Sequence, residues 1–487
     1  MSPKSKKSKR KLPQFLPLLR EPISHFYVFI AFVGLVFLTG GSARDDVQSL
    51  IVLRPFTLLF GAYALVYRTS EHWKGRQFPL YIGGLLLLLM IAQLIPLPPS
   101  IWEGLSGRKI FSDIGILAGI DSPWRPLSLS PSRTLNSLFS LTVPLTAMML
   151  YLNLHKADQK KTLIIFTFFA ALSALLAALQ IAGPTRGPLY FYNITNYGVG
   201  VGLFANRNHQ SVFLAATIIT LGWYAASQIP SLRLALLKFY AAIAGIIVLV
   251  PLIFITGSRA GLILMVPAIF VALALIYFGR YANTEYAPAK KRKNKKLPRL
   301  SMRQTIVTGS LVALATVIFF AVYLSRSLAL DRLFDGNDLG ELRTQLLPTL
   351  FQMLNDYFPW GSGFGSFEHV YRIYEPQELL RATYLNQAHN DWLQFPIEGG
   401  LPAILIAGLA MIWFVKRLIS LVKNWSKSRD TKYVALTAIA IITCFLTSSI
   451  GDYPLRVPSL IMVFAVLACL FGDAVNSVQH SDRKRVG

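Results

Sequence analysis

The chain has 487 residues, of which 54% are hydrophobic and 15% charged, and its formal net charge is +25. Soluble domains carry about 25% charged residues, so a water-soluble globular class is excluded. The basic residues cluster at 4–11 (KSKKSKRK), 290–296 (KKRKNKK), 416–429 and 483–485 (RKR), beside apolar runs. That placement suits anionic headgroups and argues against a nucleic-acid partner.

Apolar runs of about 20 residues recur along the chain, each enough to cross a hydrocarbon core of roughly 30 Å. In chain order the predicted spans lie near 24–42, 49–67, 78–98, 134–153, 162–182, 209–228, 234–256, 259–279, 305–324, 400–417, 433–451 and 456–474. The runs are continuous and do not alternate, which excludes a transmembrane β-barrel. The expected fold is all-α, a polytopic membrane protein with about twelve transmembrane helices. Cys444 and Cys469 both fall inside apolar runs, so no disulfide framework or thiolate metal site is implied. The first apolar run lacks a convincing cleavage site and is expected to be a retained span.

Charge sets the predicted topology. The basic N-terminus places residue 1 in the cytoplasm, and alternation then assigns 68–77, 154–161, 280–304 and 418–432 to the cytoplasmic side. Segments 99–133, 183–208 and 325–399 fall on the far side, and an even span count returns the basic C-terminus to the cytoplasm. The divisions expected are 1–23 (basic N-terminus), 24–182 (N-terminal transmembrane region), 183–420 (core, including loop 325–399), 421–474 (C-terminal transmembrane region) and 475–487 (basic tail). Loop 325–399 is far longer than a connector requires, and long ordered loops are commonly functional. Its prolines, glycines and aromatic residues predict short helices lying on the membrane interface. PWRPLSLSPSRT, with Trp124 and three prolines, predicts a second interfacial segment.

Four polar sites fall on that far side. Arg207 stands in LFANRNHQS with Asn206, Asn208 and His209 at the start of the sixth span; it either binds sugar or phosphate or belongs to a helix cap. Arg259 in ITGSRAG starts the eighth span, where it either snorkels to headgroups or clamps a lipid phosphate through paired guanidinium donors. Arg343 in LGELRTQLLPTLFQML lies on a predicted amphipathic helix, either solvated, paired with Asp338 or Glu341, or facing a substrate. His389 in AHNDWLQFPIEGG precedes the tenth span. It is either a packed interfacial histidine or a general base, since an imidazole accepts a proton near neutral pH. Asn390 could orient it or a substrate hydroxyl. Asp391 could fix its tautomer, although neighbours on a helix do not face one another. The glycines of GSGFGSF suggest a phosphate loop only weakly, because no Lys-Ser/Thr follows and no strand precedes.

The order GSRAG, RTQLLP, NDYFPWGSGFGSF and HNDWLQFPIEGG resembles the O-antigen ligase and polymerase superfamily over about residues 190–420. The most specific element is His389-Asn390 followed by nine residues and Gly400; the last position of the motif, ordinarily Gly, Thr or Tyr, is Ala403 here. PLSLSPSRT at 126–134 is similar to an early periplasmic loop of the family. The resemblance implies a C-type membrane glycosyltransferase of the bacterial inner membrane, with both termini cytoplasmic and the active site periplasmic. It implies transfer of a glycan from an undecaprenyl-diphosphate carrier to an acceptor hydroxyl on lipid A-core or on another glycan. Neither nucleotide sugar nor metal nor other cofactor is implied. It assigns catalytic roles to Arg259, Arg343 and His389, and substrate contacts to Arg207, Asn206 and Asn390. Ligase, polymerase and, in a different class, a transporter of lipid-linked or anionic substrates remain the alternatives at this stage.

Overall fold

A computed structural model describes residues 24–120, 123–227, 232–284, 339–380, 384–425 and 429–483. The expected basic N-terminus, the span at 305–324 and most of the basic segment 280–304 lie outside the described residues, as do Asp338, its neighbours from 325 and the end of the basic tail.

Fourteen helices longer than one turn organise the described residues, in the order α1 (His25–Thr39), α2 (Leu50–Val66), α3 (Phe78–Leu94), α4 (Lys109–Leu117), α5 (Pro131–Leu152), α6 (Lys161–Ala182) and α7 (Arg207–Ala226), followed by α8 (Leu232–Thr256), α9 (Arg259–Thr284), α10 (Leu339–Tyr357), α11 (Phe367–Tyr374), α12 (Asp391–Lys423), α13 (Arg429–Ser448) and α14 (Pro458–Arg483). Seven helices among the described residues are long and apolar enough to cross a membrane, and α1, α2 and α3 are shorter apolar helices. The protein is an all-α, multi-pass membrane protein. Each predicted span among the described residues coincides with one of these helices. The tenth departs most: predicted at 400–417, it runs from Asp391 to Lys423. Gly400, at φ +61°, divides it into a polar first segment and an apolar second one.

Two groups of helices pack side by side. In one, α5 packs on α1, α2, α3 and α14; in the other, α7 packs on α6, α8, α9 and α13. The α13–α14 pair joins them. Helix α14 lies deepest, with 83% of its spanning stretch buried, whereas α12 has 6% buried and presents Ile404, Leu405, Met411 and Ile412 outward as lipid-facing side chains do.

Helices α7 and α9 meet along small residues. Gly222 packs against Ala272, Gly279 against Ala226 and Gly261 against Ser211. Both members of each pair rise together in sequence, so the two helices are parallel and begin at the same end of the bundle. Small residues let the backbones approach closely where apolar burial alone gives lipid-embedded helices no drive to associate. This register brings the start of α7, with Arg207, level with the start of α9, with Arg259.

An extramembrane lobe covers that end. It combines 96–130, the short antiparallel pair Pro96–Leu97 with Arg125–Pro126, α10, α11 and the first segment of α12. Arg108 is fully buried at its centre and donates from Nη2 to the Leu127 and Gly361 carbonyls and from Nη1 to Ser106. Burial pushes its guanidinium down to about 10, against the opposing pull of the Tyr357 and Tyr374 hydroxyls. Gln93, at the end of α3, donates to the Glu398 carbonyl and accepts from the Phe364 amide, which sews lobe to bundle.

Candidate active site at the shared end of four helices

The local sequence explains how His389 is presented. Asn390 is the N-cap of α12; its side-chain oxygen accepts from the Leu393 amide at 3.1 Å. The Ala388 amide donates to Gln394 Oε1 at 2.8 Å, and the Asp391 amide donates to the Ser449 carbonyl at 2.9 Å. Fixed on both sides, His389 adopts φ +51°, the sole positive φ of a non-glycine residue among the described ones. Left-handed backbone is costly for a β-substituted residue and persists where neighbouring contacts over-determine it.

Those contacts form a buried ionic network. Arg456 donates from Nε to Asp391 at 2.9 Å and from Nη1 to Glu398 at 3.0 Å. Glu398 accepts a further bond from Gln394 Nε2 at 2.9 Å and is fully buried. Burial would disfavour the Arg456 charge, but the two carboxylates outweigh it and hold the guanidinium above its ordinary range. The turn between α13 and α14, which carries Arg456, is thereby locked to the start of α12.

The same turn supplies Asp452. Its Oδ1 lies 3.5 Å from His389 Nδ1 and 3.8 Å from His209 Nε2, and accepts from the Tyr453 amide at 2.9 Å. Its Oδ2 accepts from Asn208 Nδ2 at 2.5 Å. Burial alone would raise the Asp452 pKa, yet the two imidazoles carry it well below the usual carboxylate range. Tyr453 stands edge-on to both imidazoles, with ring centroids 5.1 Å from His209 and 4.8 Å from His389. Asp452 therefore occupies the place facing His389 that the sequence had offered to Asp391. Asp391 turns instead to Arg456 and Ser449.

The arginines reach this centre unequally. Asn206 caps α7 through the Asn208 amide, and Asn208 carries the bond to Asp452. The Arg207 amide donates to Asn196 Oδ1, and its guanidinium lies close to Gly257, in the turn that starts α9 with Arg259. His389, Asp452, Asn208, Arg207 and Arg259 thus follow one another around the shared end of α7, α9, α12 and α13. Arg343 lies in the first turns of α10, and its side chain lies outside the described residues. Leu346, one turn later, packs in the same buried cluster as Ala388. Asn206 and Asn390 both serve as helix caps, a role that competes with direct substrate contact.

The remaining motif residues are structural. The GSGFGSF amides close on the protein: Ser362 and Gly363 donate to the carbonyls of Ile397 and Glu398, and Phe364 to Gln93. No amide of that run from 361 to 364 is left to cradle a phosphate. Gly400 lies against the backbone of Pro359, Trp360 and Gly361, where a side chain would collide. Ala403 is buried beside Gly399 in the helix core, so its departure from the motif falls on packing and not on the polar centre.

Asp452, Arg456 and Glu398 were not among the expected site residues, and His209 was named only as a neighbour in the Arg207 cluster. A carboxylate ending the apolar run at 433–451, on the side already assigned to His389, was the available signal for Asp452.

No curated protein matches the chain. Residues 244–408, from within α8 into the second segment of α12, match the family model described as O-antigen ligase, and the match supports the O-antigen ligase and polymerase superfamily.

Proposed function

We propose that this protein is a glycosyltransferase that moves a glycan from an undecaprenyl-diphosphate carrier to an acceptor hydroxyl, with its site on the periplasmic face. The observation that carries the reading is the pairing of His389 with buried Asp452 at the bundle end where Arg207 and Arg259 begin their helices. His389 Nδ1 faces the carboxylate, which leaves Nε2, on the other edge of the ring, for a substrate proton. Nε2 removes the proton of the acceptor hydroxyl as its oxygen attacks the anomeric carbon. The bond from that carbon to the diphosphate breaks, and the electron pair leaves with the carrier diphosphate. Attack opposite the leaving group inverts the anomeric configuration. Asp452 holds the ring and stabilises the imidazolium that forms. Guanidinium groups of Arg207, Arg259 and Arg343 stabilise the charge that grows on the diphosphate, with no metal required. Lipid A-core is the acceptor in a ligase, and a second carrier-linked glycan is the acceptor in a polymerase.

Purified protein in lipid nanodiscs, supplied with lipid-linked glycan donor and lipid A-core, tests this directly. Expected is a glycan-bearing acceptor, formed at an undiminished rate in excess chelator. Absence of product with either acceptor would contradict transfer, and strict dependence on a divalent ion would contradict the metal-free step. In cells, deletion separates the two acceptors: unattached long glycan accumulating on the carrier indicates a ligase, and loss of long chains indicates a polymerase.

A further inference from the structure

Helix α4 (Lys109–Leu117) buries one face against the lobe and leaves the other uncovered. Gly115 is its one buried residue, with Phe111 and Ser112 half-buried beside it. On the opposite side Ile110, Ile114 and Leu117 recur at i, i+4 and i+7 and are 44%, 57% and 87% exposed. Ile116, Ile120 and Trp124 continue the apolar surface, all exposed. Lys109 and Asp113, also exposed, share one border of the Ile110–Leu117 face. Nothing among the described residues covers this face. An apolar surface of this kind on an extramembrane lobe marks an interaction site.

We propose that α4 is an interfacial anchor, lying in the plane of the bilayer with Ile110, Ile114 and Leu117 sunk into the acyl boundary of the leaflet on the lobe side. Its position argues for lipid. The apolar helix α3 ends at Leu94, with Leu88, Ile91 and Ile95 exposed as a lipid-facing stripe. After Ile95 the chain enters the strand Pro96–Leu97, which pairs with Arg125–Pro126. Arg125 donates from Nη1 to the Phe111 carbonyl at 3.3 Å, and Gly115 lies against its guanidinium. Helix α4 therefore sits one arginine side chain from the place where the chain leaves α3. Its nine residues make a helix about 14 Å long, too short to span and suited to lying flat. Lys109 reaches headgroup phosphates from the border while its stem stays on the apolar side, and Trp124 supplies an interfacial indole. One face of so short a helix falls well below the roughly 800 Å² per partner that a stable protein interface buries. The anchor bears on the candidate site through Arg108, immediately before α4. Its guanidinium holds the Leu127 and Gly361 carbonyls and lies 5.6 Å from the ring centroid of Tyr357, which ends α10, the helix that carries Arg343. The depth of α4 thereby sets the height of α10 above the bilayer; the catalytic weight of that link rests on the glycosyl-transfer reading above, whereas insertion of α4 does not.

Fluorescence quenching of the full chain in lipid nanodiscs tests this without an activity assay. Cys444 and Cys469 are buried, so bimane attached to Leu117→Cys or Ile114→Cys reports the introduced site against a wild-type blank. Expected is loss of fluorescence with lipids that carry a nitroxide near the headgroup end of the acyl chain, and little loss with aqueous iodide. Trp124 gives the same reading without a label: quenching by brominated lipid should be greater in the wild-type protein than in Trp124→Phe. Iodide quenching without acyl-nitroxide quenching, or equal bromolipid quenching in the two unlabelled proteins, overturns the proposal. Protection from both quenchers that disappears in discs holding a single molecule would assign the face to a second copy and overturn it as well. Acyl-chain quenching in a protein that transfers no glycan would leave the anchor standing and remove only its catalytic link, so the two failures are distinguishable.

Discussion

His389 and Asp452 lie on different helical hairpins, yet Nδ1 of one stands 3.5 Å from Oδ1 of the other. Histidine brings a proton acceptor suited to neutral pH, and the carboxylate is buried with His209 and Asn208 on its remaining sides. The start of α12 is tied to the α13–α14 turn through Arg456 and the Asp391 amide, which fixes the pair in register.

Replacement of His389 by alanine is expected to lower turnover by about 10²–10⁴-fold, the usual contribution of a positioned general base. Protein amount in the membrane should be unchanged, because the ring is partly exposed at the site and makes no hydrogen bond through Nδ1. Initial rates with a lipid-linked donor, normalised to protein, provide the check. Wild-type turnover would remove His389 from the mechanism.

Asp452→Asn is expected to cut turnover by on the order of 10²-fold while KM for the donor changes little, since Asp452 acts on the imidazole and not on the diphosphate. It also carries a pH signature. The Asp452 pKa is depressed in the folded protein, so its stabilising contribution is present above the ordinary carboxylate range and is lost as pH falls through the lower folded value. Thermal unfolding of the wild-type protein should therefore weaken on acidification below about pH 4, and Asp452→Asn should weaken less over the same interval. Parallel acid sensitivity in the two proteins would count against the depressed carboxylate.

The arginines separate charge from geometry. Arg259→Ala and Arg343→Ala are each expected to reduce donor use by about 10²-fold or more, and lysine at either position should rescue poorly because the planar fork is lost. Arg207→Ala is expected to weaken donor binding more than turnover. Full activity of Arg343→Lys would reduce its part to simple charge.

Gly400 tests the lobe-to-membrane junction. Alanine there must adopt φ +61° and place its side chain against the Pro359–Gly361 backbone. A loss of about 1–3 kcal/mol is expected from the backbone conformation alone. Lower accumulation and a reduced melting temperature would show it, and unchanged stability would mean that the junction relaxes.

Much of the architecture was legible because it is written in long apolar runs. The predicted spans at 162–182 and 234–256 coincide with α6 and α8 almost to the residue. The start of α12 was not, because QFPIEGG is polar enough to read as loop. Its helix is completed by tertiary bonds to Gln93, Arg456 and Ser449 that no local pattern encodes. Arg207, Arg259 and His389 stood out as polar residues at span starts, and parity placed them together. Their mutual arrangement depends on the small-residue seam between α7 and α9, which resembles ordinary lipid packing until the register is known. Asp391 looked like the partner of His389 by adjacency, but the helix turns it toward Arg456. Asp452 was hidden in a tight turn between two apolar runs, where only the folded chain shows what it faces. The glycines of GSGFGSF signalled special backbone, and their use proved to be packing against Ser128 and the α12 kink.

A structure with an undecaprenyl-diphosphate analogue bound tests the convergence at the centre of this mechanism most directly. The expected result is a diphosphate at the shared end of α7, α9 and α12, touched by the guanidinium groups of Arg207 or Arg259 and with its terminal phosphate, where the sugar is attached, facing His389 Nε2. A diphosphate bound at the opposite end of the bundle, or at this end but out of reach of both arginines and His389, would contradict it.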